Sequence, residues 1–334
     1  MDWFKELTGF SEESYHLTQS NFRVEGQKLY SKVNNRSFNI GEFNCESLHG
    51  LRQQVSSIDI KKGKSTLSKI VGEAKTLHED PKNNGALFQV ASQFNCLEMV
   101  SPQNTPEDGI SCYQYDPTQG PACAIAGGAA TIYRNYFVEV NGFKGQTEDN
   151  QIDNLKDLKC ALSEALDMAE DELLDMKNGY VIIEEASLSA LSTHLSECTE
   201  EQRDYYRGLI KIGIHKDIQV TSKGVDANQI VTQAFCSALP VSYNSLPVES
   251  FAIFAQLVLE SAYESTLLNG VLNYHNTGVN KVFLTLLGGG AFGNREAWIT
   301  SAINRAMKMV DHNGLDIKIV FRDHYGQDNL SNNF

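Results

Sequence analysis

Two groups of residues in this chain have the composition to do chemistry, a glycine run and a set of loop carboxylates. Gly288, Gly289, Gly290, Ala291, Phe292, Gly293 and Asn294 stand between a β-branched and apolar run, Val282 to Leu287, and a helical pattern of Trp298, Ile299, Ala302, Ile303 and Ala306. Glycine at the carboxyl end of a buried strand lets the backbone take positive φ and turn successive N–H groups towards one point, and the following helix adds its positive end. Such a loop suits a phosphate or diphosphate. A tight turn that needs glycine only for packing would have the same composition. No GK[ST] follows and the spacing is not GxGxxG, so neither a Walker loop nor a dinucleotide fingerprint is present. The carboxylates are Glu98, Glu107, Asp108 and Asp116, in a stretch from Gln93 to Gln119 rich in Pro, Asn, Asp, Ser and Gly. A connection of that length without apolar periodicity is usually functional or disordered, and the flanking strand and small-residue segment argue for order. A carboxylate beside a bound diphosphate feels its charge and is pushed up towards a useful base. Asp108 before Gly109 and Asp116 before Pro117 are also ordinary turn residues. A third polar loop, FCSALPVSYN, offers hydroxyls and backbone amides, Ser237 among them.

The elements that must position these loops alternate strand and helix. LSKIVG, ALFQVAS, VTQAFC, VFLTLL and IKIVFR read as strands, with YVIIE from Tyr180 to Glu184 as another, and GLIKIGIHKDIQVT alternates as a strand or hairpin. Glu46 to Val55, residues 120–137, Asn154 to Met176, Ser187 to Glu197 and Phe251 to Leu272 read as helices. KLYSKV and RSFNIGEF look like short strands around an Asn34-Asn35 turn. The pattern implies an α/β fold with a mixed, mostly parallel sheet flanked by helices, in which ligands bind beyond the carboxyl ends of the strands. If the three polar strand-end loops converge, one holds phosphates, one offers hydroxyls and one brings carboxylates. The basic link from Lys61 to Ser65 marks the expected boundary between an N-terminal appendage, 1–65, and the core, 66–334.

Composition narrows the function classes. The chain has 334 residues, 41% hydrophobic, enough for a large core. A formal net charge of −14, from 42 acidic and 28 basic residues, with no local basic patch, argues against nucleic acid as a partner. Seven dispersed cysteines without a CxxC pair fit a reducing compartment and indicate neither a zinc site nor a disulfide framework. His194, His215, His275 and His324 show no ligand spacing, and neither metal nor cofactor is expected. The amino terminus lacks an apolar signal core and no apolar run is long enough to cross a bilayer. A soluble, cytoplasmic protein without a membrane partner is expected.

VFLTLLGGGAFGN leading into a helix, preceded by a long helix and by a strand ending CSALPV, resembles macrodomains, especially the poly(ADP-ribose) glycohydrolase-like branch. The resemblance covers roughly residues 66–320. It implies a macrodomain-like sheet with an N-terminal extension, and a glycine loop, Gly288 to Asn294, that cradles the diphosphate of ADP-ribose. LFQVASQFNCLEM is similar to the family's first ligand loop, which would put Asn95 near the distal ribose. IVGEA is similar to the adenine-binding motif and makes Glu73 a candidate there. The glycohydrolase branch carries a GGG run and a QEE signature after its first loop. This chain has TPEDGISCYQYDPTQGPACAIA instead, so that branch's catalytic glutamate has no counterpart to carry over. The substituted loop resembles divergent macrodomains, including a bacterial-effector type acting on ADP-ribosylated arginine, in which loop aspartates are the catalytic candidates. On that resemblance Asp108 and Asp116, with Glu107 beside them, are the catalytic candidates, and Thr118, Gln119, Gly120 and Ser237 join the ligand-binding set. The implied activity is an ADP-ribosyl hydrolase that removes ADP-ribose from a protein side chain, arginine preferred. The implied partners are ADP-ribose or an ADP-ribosylated protein, with ubiquitin as one candidate target. A reader that binds ADP-ribose without cleaving it is the alternative, and an enzyme for a free nucleotide such as ADP-ribose phosphate is a third reading.

Overall fold

The computed structural model describes residues 2–323; His324, read above with the scattered histidines, lies outside the described residues. Its centre is a seven-stranded sheet. In chain order these strands are β1 (Glu42–Ser47), β2 (Thr66–Val71), β3 (Leu87–Ala91), β4 (Lys211–Gln219), β5 (Ile230–Cys236), β6 (Lys281–Leu284) and β7 (Asp316–Phe321). Across the sheet they run β1-β4-β5-β3-β6-β7-β2. All neighbours from β5 to β2 are parallel, while β4 is antiparallel to both β1 and β5. This is the mixed, mostly parallel sheet that the alternating pattern predicts.

β3 shows why the strands are apolar on both faces. Leu87 enters a core built with α1 (Leu48–Ser56), α4 (Ala252–Thr277) and α5 (Glu296–Met309), whereas Phe88 and Val90 face α2 (Gln119–Ala126) and α3 (Gly128–Tyr136). Helices therefore cover both sides of the sheet. α4, 26 residues long, is apolar around most of its circumference and correspondingly buried. Its Glu264 carboxylate, fully buried, is held by Arg52 at 2.6 Å and by Arg305. None of the helices among the described residues is long and apolar enough to cross a membrane.

Several elements differ from the expected ones, each for a local reason. The segment 120–137 is two helices, because the chain turns at Gly127, where a Cβ would stand 2.6 Å from Ile218 Cδ1. The helix begun at Lys156 stops at Leu166, since Asp167 takes the left-handed conformation at φ 51°. Asp175–Lys177 then pairs with Tyr180–Ile182 in a separate hairpin whose turn is Asn178-Gly179, at φ 48° and 80°. That is the Asn-Gly turn favoured in two-residue hairpins. α1 begins at Leu48 rather than Glu46, where the Ser47 hydroxyl accepts the N–H of Gly50 at 3.1 Å. β6 ends at Leu284 because the next residues bond to α4 instead of the sheet: Tyr263 donates to Thr285 O at 2.7 Å and accepts the N–H of Leu287 at 2.8 Å. The boundary expected at residues 65/66 falls between strands at opposite edges of one sheet, so by hydrogen bonding β1 belongs to the core. Residues before it form a three-stranded antiparallel sheet, Phe22–Glu25, Lys28–Ser31 and Ser37–Asn39, with two short helices. Phe4, Leu7, Tyr15 and Phe22 from this segment pack on Leu97, Ile110, Tyr113 and Ile132 of the core.

Candidate functional site

β3 and β6 are paired only at Leu87↔Val282 and Phe88↔Phe283, whereas β5 stays paired with β3 through Cys236↔Ala91. Beyond those residues the β3 and β6 chains diverge, and a crevice of about 230 Å³ opens at their carboxyl ends. The three polar strand-end loops do converge there. Ala91 to Gln93, Glu98 and Asp116 come from the first, Ala238 and Tyr243 from the second, and Thr285 to Gly288 with Gly290 to Phe292 from the third.

Within the glycine loop two glycines are needed for shape. Gly288 and Gly293 have φ of 71° and 72°, and a Cβ would lie 2.5 Å from Ala238 Cβ at the first and 2.0 Å from Ser242 Oγ at the second. Asn294, buried, latches the turn: its N–H donates to Gly288 O at 2.9 Å and its Nδ2 to Leu239 O at 2.8 Å. Gly289 is exposed, and its N–H is used by Leu286 O. Gly290 is different. Its φ is ordinary, nothing lies within 4 Å of the Cβ it lacks, and it is exposed. The N–H groups of Gly290, Ala291 and Phe292 donate to no partner among the described residues. The cleft lining contains no Lys or Arg, so an anion would be held by these backbone dipoles.

The positive helix end at the cleft does not belong to the helix that follows the glycine loop. α5 starts at Glu296 behind Arg295, which pairs with Glu249 at 2.8 Å on the surface, and neither residue lines the cleft. It is α2 whose first residues, Thr118, Gln119 and Gly120, line it. Gln119 accepts the N–H of Ala91 at 2.9 Å and donates to Gln89 O at 2.8 Å, tying the helix start to the end of β3. Gly120 permits this approach, since a Cβ would fall 1.9 Å from Ala91 O.

The carboxylates separate by position. Asp116 lines the cleft, half-buried, with Oδ1 accepting the N–H of Thr118 at 2.8 Å. Asp108 is exposed and outside the lining; its carboxylate caps its own turn, accepting the N–H of Thr105 at 3.0 Å. Both oxygens of Glu107 accept the N–H of Glu148, at 2.9 and 3.0 Å, so its carboxylate serves a loop contact. Glu98, named in the sequence among four loop carboxylates and not set apart from them, is the buried one. It lines the cleft, and Arg134, itself fully buried, donates to Oε1 at 3.3 Å. Oε2 has no hydrogen-bond partner among the described residues. Burial pushes the Glu98 carboxyl up to about 7 against the opposing pull of the Arg134 guanidinium.

Other expected ligand residues have structural partners. Asn95 is buried and outside the cleft lining, donating to Gln151 Oε1 at 2.7 Å and accepting from Leu97 N–H at 3.0 Å. Ser237 is buried and donates to Ala238 O at 3.0 Å, and Glu73 is exposed at the N-cap of the helix Ala74–Glu79; neither lines the cleft. Phe292 does line it, with its ring 5.5 Å from Tyr180 and 5.7 Å from Tyr243. The buried Tyr180, read in the sequence as a plain strand residue, donates to Met99 O at 2.6 Å and completes an aromatic wall. No group of three or more His, Cys, Asp or Glu among the described residues is arranged to hold a metal ion.

No family model matches the sequence, and no curated protein matches it. Among solved structures, the chain is similar to the poly(ADP-ribose) glycohydrolase of Thermomonospora curvata bound to the inhibitor ADP-HPD, at 10% identity and TM-score 0.39, covering 96% of this chain and 93% of that one. It is similar to the poly(ADP-ribose) glycohydrolase of Deinococcus radiodurans in complex with ADP-ribose, at 10% identity and TM-score 0.36, over 83% and 86% of the two chains. An alphavirus P23pro-zbd structure aligns with 32% of this chain at 17% identity and TM-score 0.22, and the match spans 14% of that structure's chain.

Proposed function

We propose that the cleft binds ADP-ribose and hydrolyses the N-glycosidic bond that joins it to an arginine of a modified protein. The observation that carries this reading is the pair of carboxylates in one cleft beside three unspent backbone donors, with Glu98 buried and pushed up to about 7 and Asp116 at the half-exposed side. Carboxyl groups in contrasting settings divide acid and base work. Glu98, protonated, gives its proton to the leaving guanidine nitrogen as the C–N bond breaks. The Asp116 carboxylate stabilises the oxocarbenium-like centre and takes a proton from the water whose oxygen bonds to the anomeric carbon. The products are arginine and ADP-ribose, and solvent returns the proton from Asp116 to Glu98. The diphosphate rests on the N–H groups of Gly290 to Phe292, and the aromatic wall of Tyr180, Tyr243 and Phe292 offers a surface to a flat ring. A reader that only binds would gain nothing from a carboxyl group buried against an anionic ligand.

The direct test is release of ADP-ribose from an arginine-ADP-ribosylated protein, run beside a glutamate-linked conjugate and poly(ADP-ribose). Release from the arginine conjugate is expected, and binding without release from any of the three would replace the hydrolase with a reader. The diphosphate assignment has its own test. In Gly290→Glu the new side chain leaves into open space from an ordinary backbone conformation, so the melting temperature should hold. The carboxylate would stand where the phosphates go, and ADP-ribose affinity should fall by at least about tenfold, roughly 1.4 kcal/mol. Calorimetry giving parental affinity in the folded variant would refute the loop's role.

A further inference from the structure

We propose that the N-terminal segment takes part in the reaction through one side chain, Glu12, which clamps the helical turn that ends at Asp116 and holds the backbone of Glu98; this rests on the hydrolase reading above. Glu12 lies between the helices Trp3–Thr8 and Tyr15–Ser20. Its Oε1 accepts the N–H of Ile110 at 2.9 Å, its Oε2 that of Ser111 at 2.7 Å, and the Tyr136 hydroxyl donates to Oε1 at 2.6 Å. Those two N–H groups open the 3-10 turn Ser111–Tyr115, whose N-cap, Ile110, has no side chain able to satisfy them. A carboxylate brought from 98 residues away does so instead, and its charge suits the positive end of the turn. Gly109 makes the approach feasible, since a Cβ there would lie 2.4 Å from Glu12 Oε2.

From this clamped turn two connections reach the cleft. Tyr113 is fully buried, and its hydroxyl accepts the N–H of Glu98 at 3.0 Å. At the far end of the turn Asp116 donates its N–H to Tyr113 O at 3.1 Å, and its carboxylate enters the cleft lining. One turn therefore sets the backbone of both groups, and Glu12 fixes its position from outside. Glu12 touches neither the cleft nor the reacting atoms, and so is a positioning residue. An error of about 1 Å in such a group costs on the order of 10²-fold in rate.

The test uses the full chain and reads kcat, KM, ADP-ribose affinity and amide exchange at Ile110 and Ser111. Glu12→Ala should lower kcat by roughly 10- to 100-fold, leave ADP-ribose affinity close to parental, and speed exchange at both amides. Glu12→Gln, which keeps an acceptor oxygen, should recover part of the kcat. Ser31→Ala is the control: the buried Ser31 hydroxyl donates to Thr8 O at 2.6 Å, so the change loosens the same segment without touching the turn. It should keep parental kcat. If it loses as much as Glu12→Ala at an equal drop in melting temperature, the effect is merely structural and the proposal is overturned. An active parent whose kcat survives Glu12→Ala overturns this inference alone. A parent that releases no ADP-ribose from any conjugate overturns the hydrolase reading and this inference together.

Discussion

Asp116→Asn is expected to lower turnover of ADP-ribosyl-arginine by about 10²–10⁴, with ADP-ribose affinity changed only a few-fold. Asparagine is the informative replacement, because its amide oxygen can still accept the N–H of Thr118 that Asp116 Oδ1 accepts at 2.8 Å. The turn before α2 then survives, and what disappears is the negative charge in the cleft wall. Alanine would remove the turn contact as well and mix loop loosening with the loss of chemistry. On the proposed reading the diphosphate rests on the N–H groups of the glycine loop and not on Asp116, so titration with ADP-ribose separates the two effects. Single-turnover release of ADP-ribose is the measurement, with circular dichroism as the folding control. Parental turnover in Asp116→Asn would remove Asp116 from the mechanism. Asp108→Ala should act differently: its carboxylate caps the turn at Thr105 outside the cleft lining, so its cost should appear in melting temperature before it appears in turnover.

Much of the framework was legible because it rests on local pattern. The buried run before Gly288, the helical spacing from Trp298 and the apolar length of α4 each specify an element without help from the rest of the chain. Convergence of the three loops followed from the rule that parallel strands present their carboxyl ends together. What was hidden depends on partners distant in sequence. EFNCES has weak alternation, and it becomes a core strand only because β4 pairs with it. The Asn178-Gly179 turn closes a hairpin whose first strand, Asp175–Lys177, begins within the helix expected from Asn154 to Met176. Among the carboxylates, sequence cannot tell Asp108 from Asp116, since each precedes a turn residue. The distinction arises from which end of the Ser111–Tyr115 turn meets the cleft. Glu98 stands out only once Arg134, on α3, and Tyr113 close around it.

Glu98→Gln is expected to abolish the alkaline limb of the pH–rate profile and to reduce the rate by about 10²–10⁴ at its optimum. A general acid must be protonated to act, so parental kcat should fall as pH rises through about 7, where burial has placed the Glu98 carboxyl. The same shift makes a stability prediction whose sign is opposite to that of an ordinary salt-bridged carboxylate. The unfolded chain loses this proton near 4.5 and the folded chain near 7, so between those values the folded state holds more protons than the unfolded one. Stability should therefore decline as pH rises across that window, by about 3 kcal/mol in total, and level off above it. Glutamine imitates the protonated acid, keeping an acceptor for Arg134 without a charge to desolvate. The variant should show no such decline and should melt higher than the parent at pH 8, while turning over far more slowly. An apolar replacement would be a poorer probe, because it strips the buried Arg134 of an acceptor and is strongly destabilising on that account alone. Denaturant melts at pH 5 and pH 8 for both proteins decide the matter: parallel pH dependences would mean that Glu98 is ionised throughout and held by Arg134, leaving the cleft without its acid.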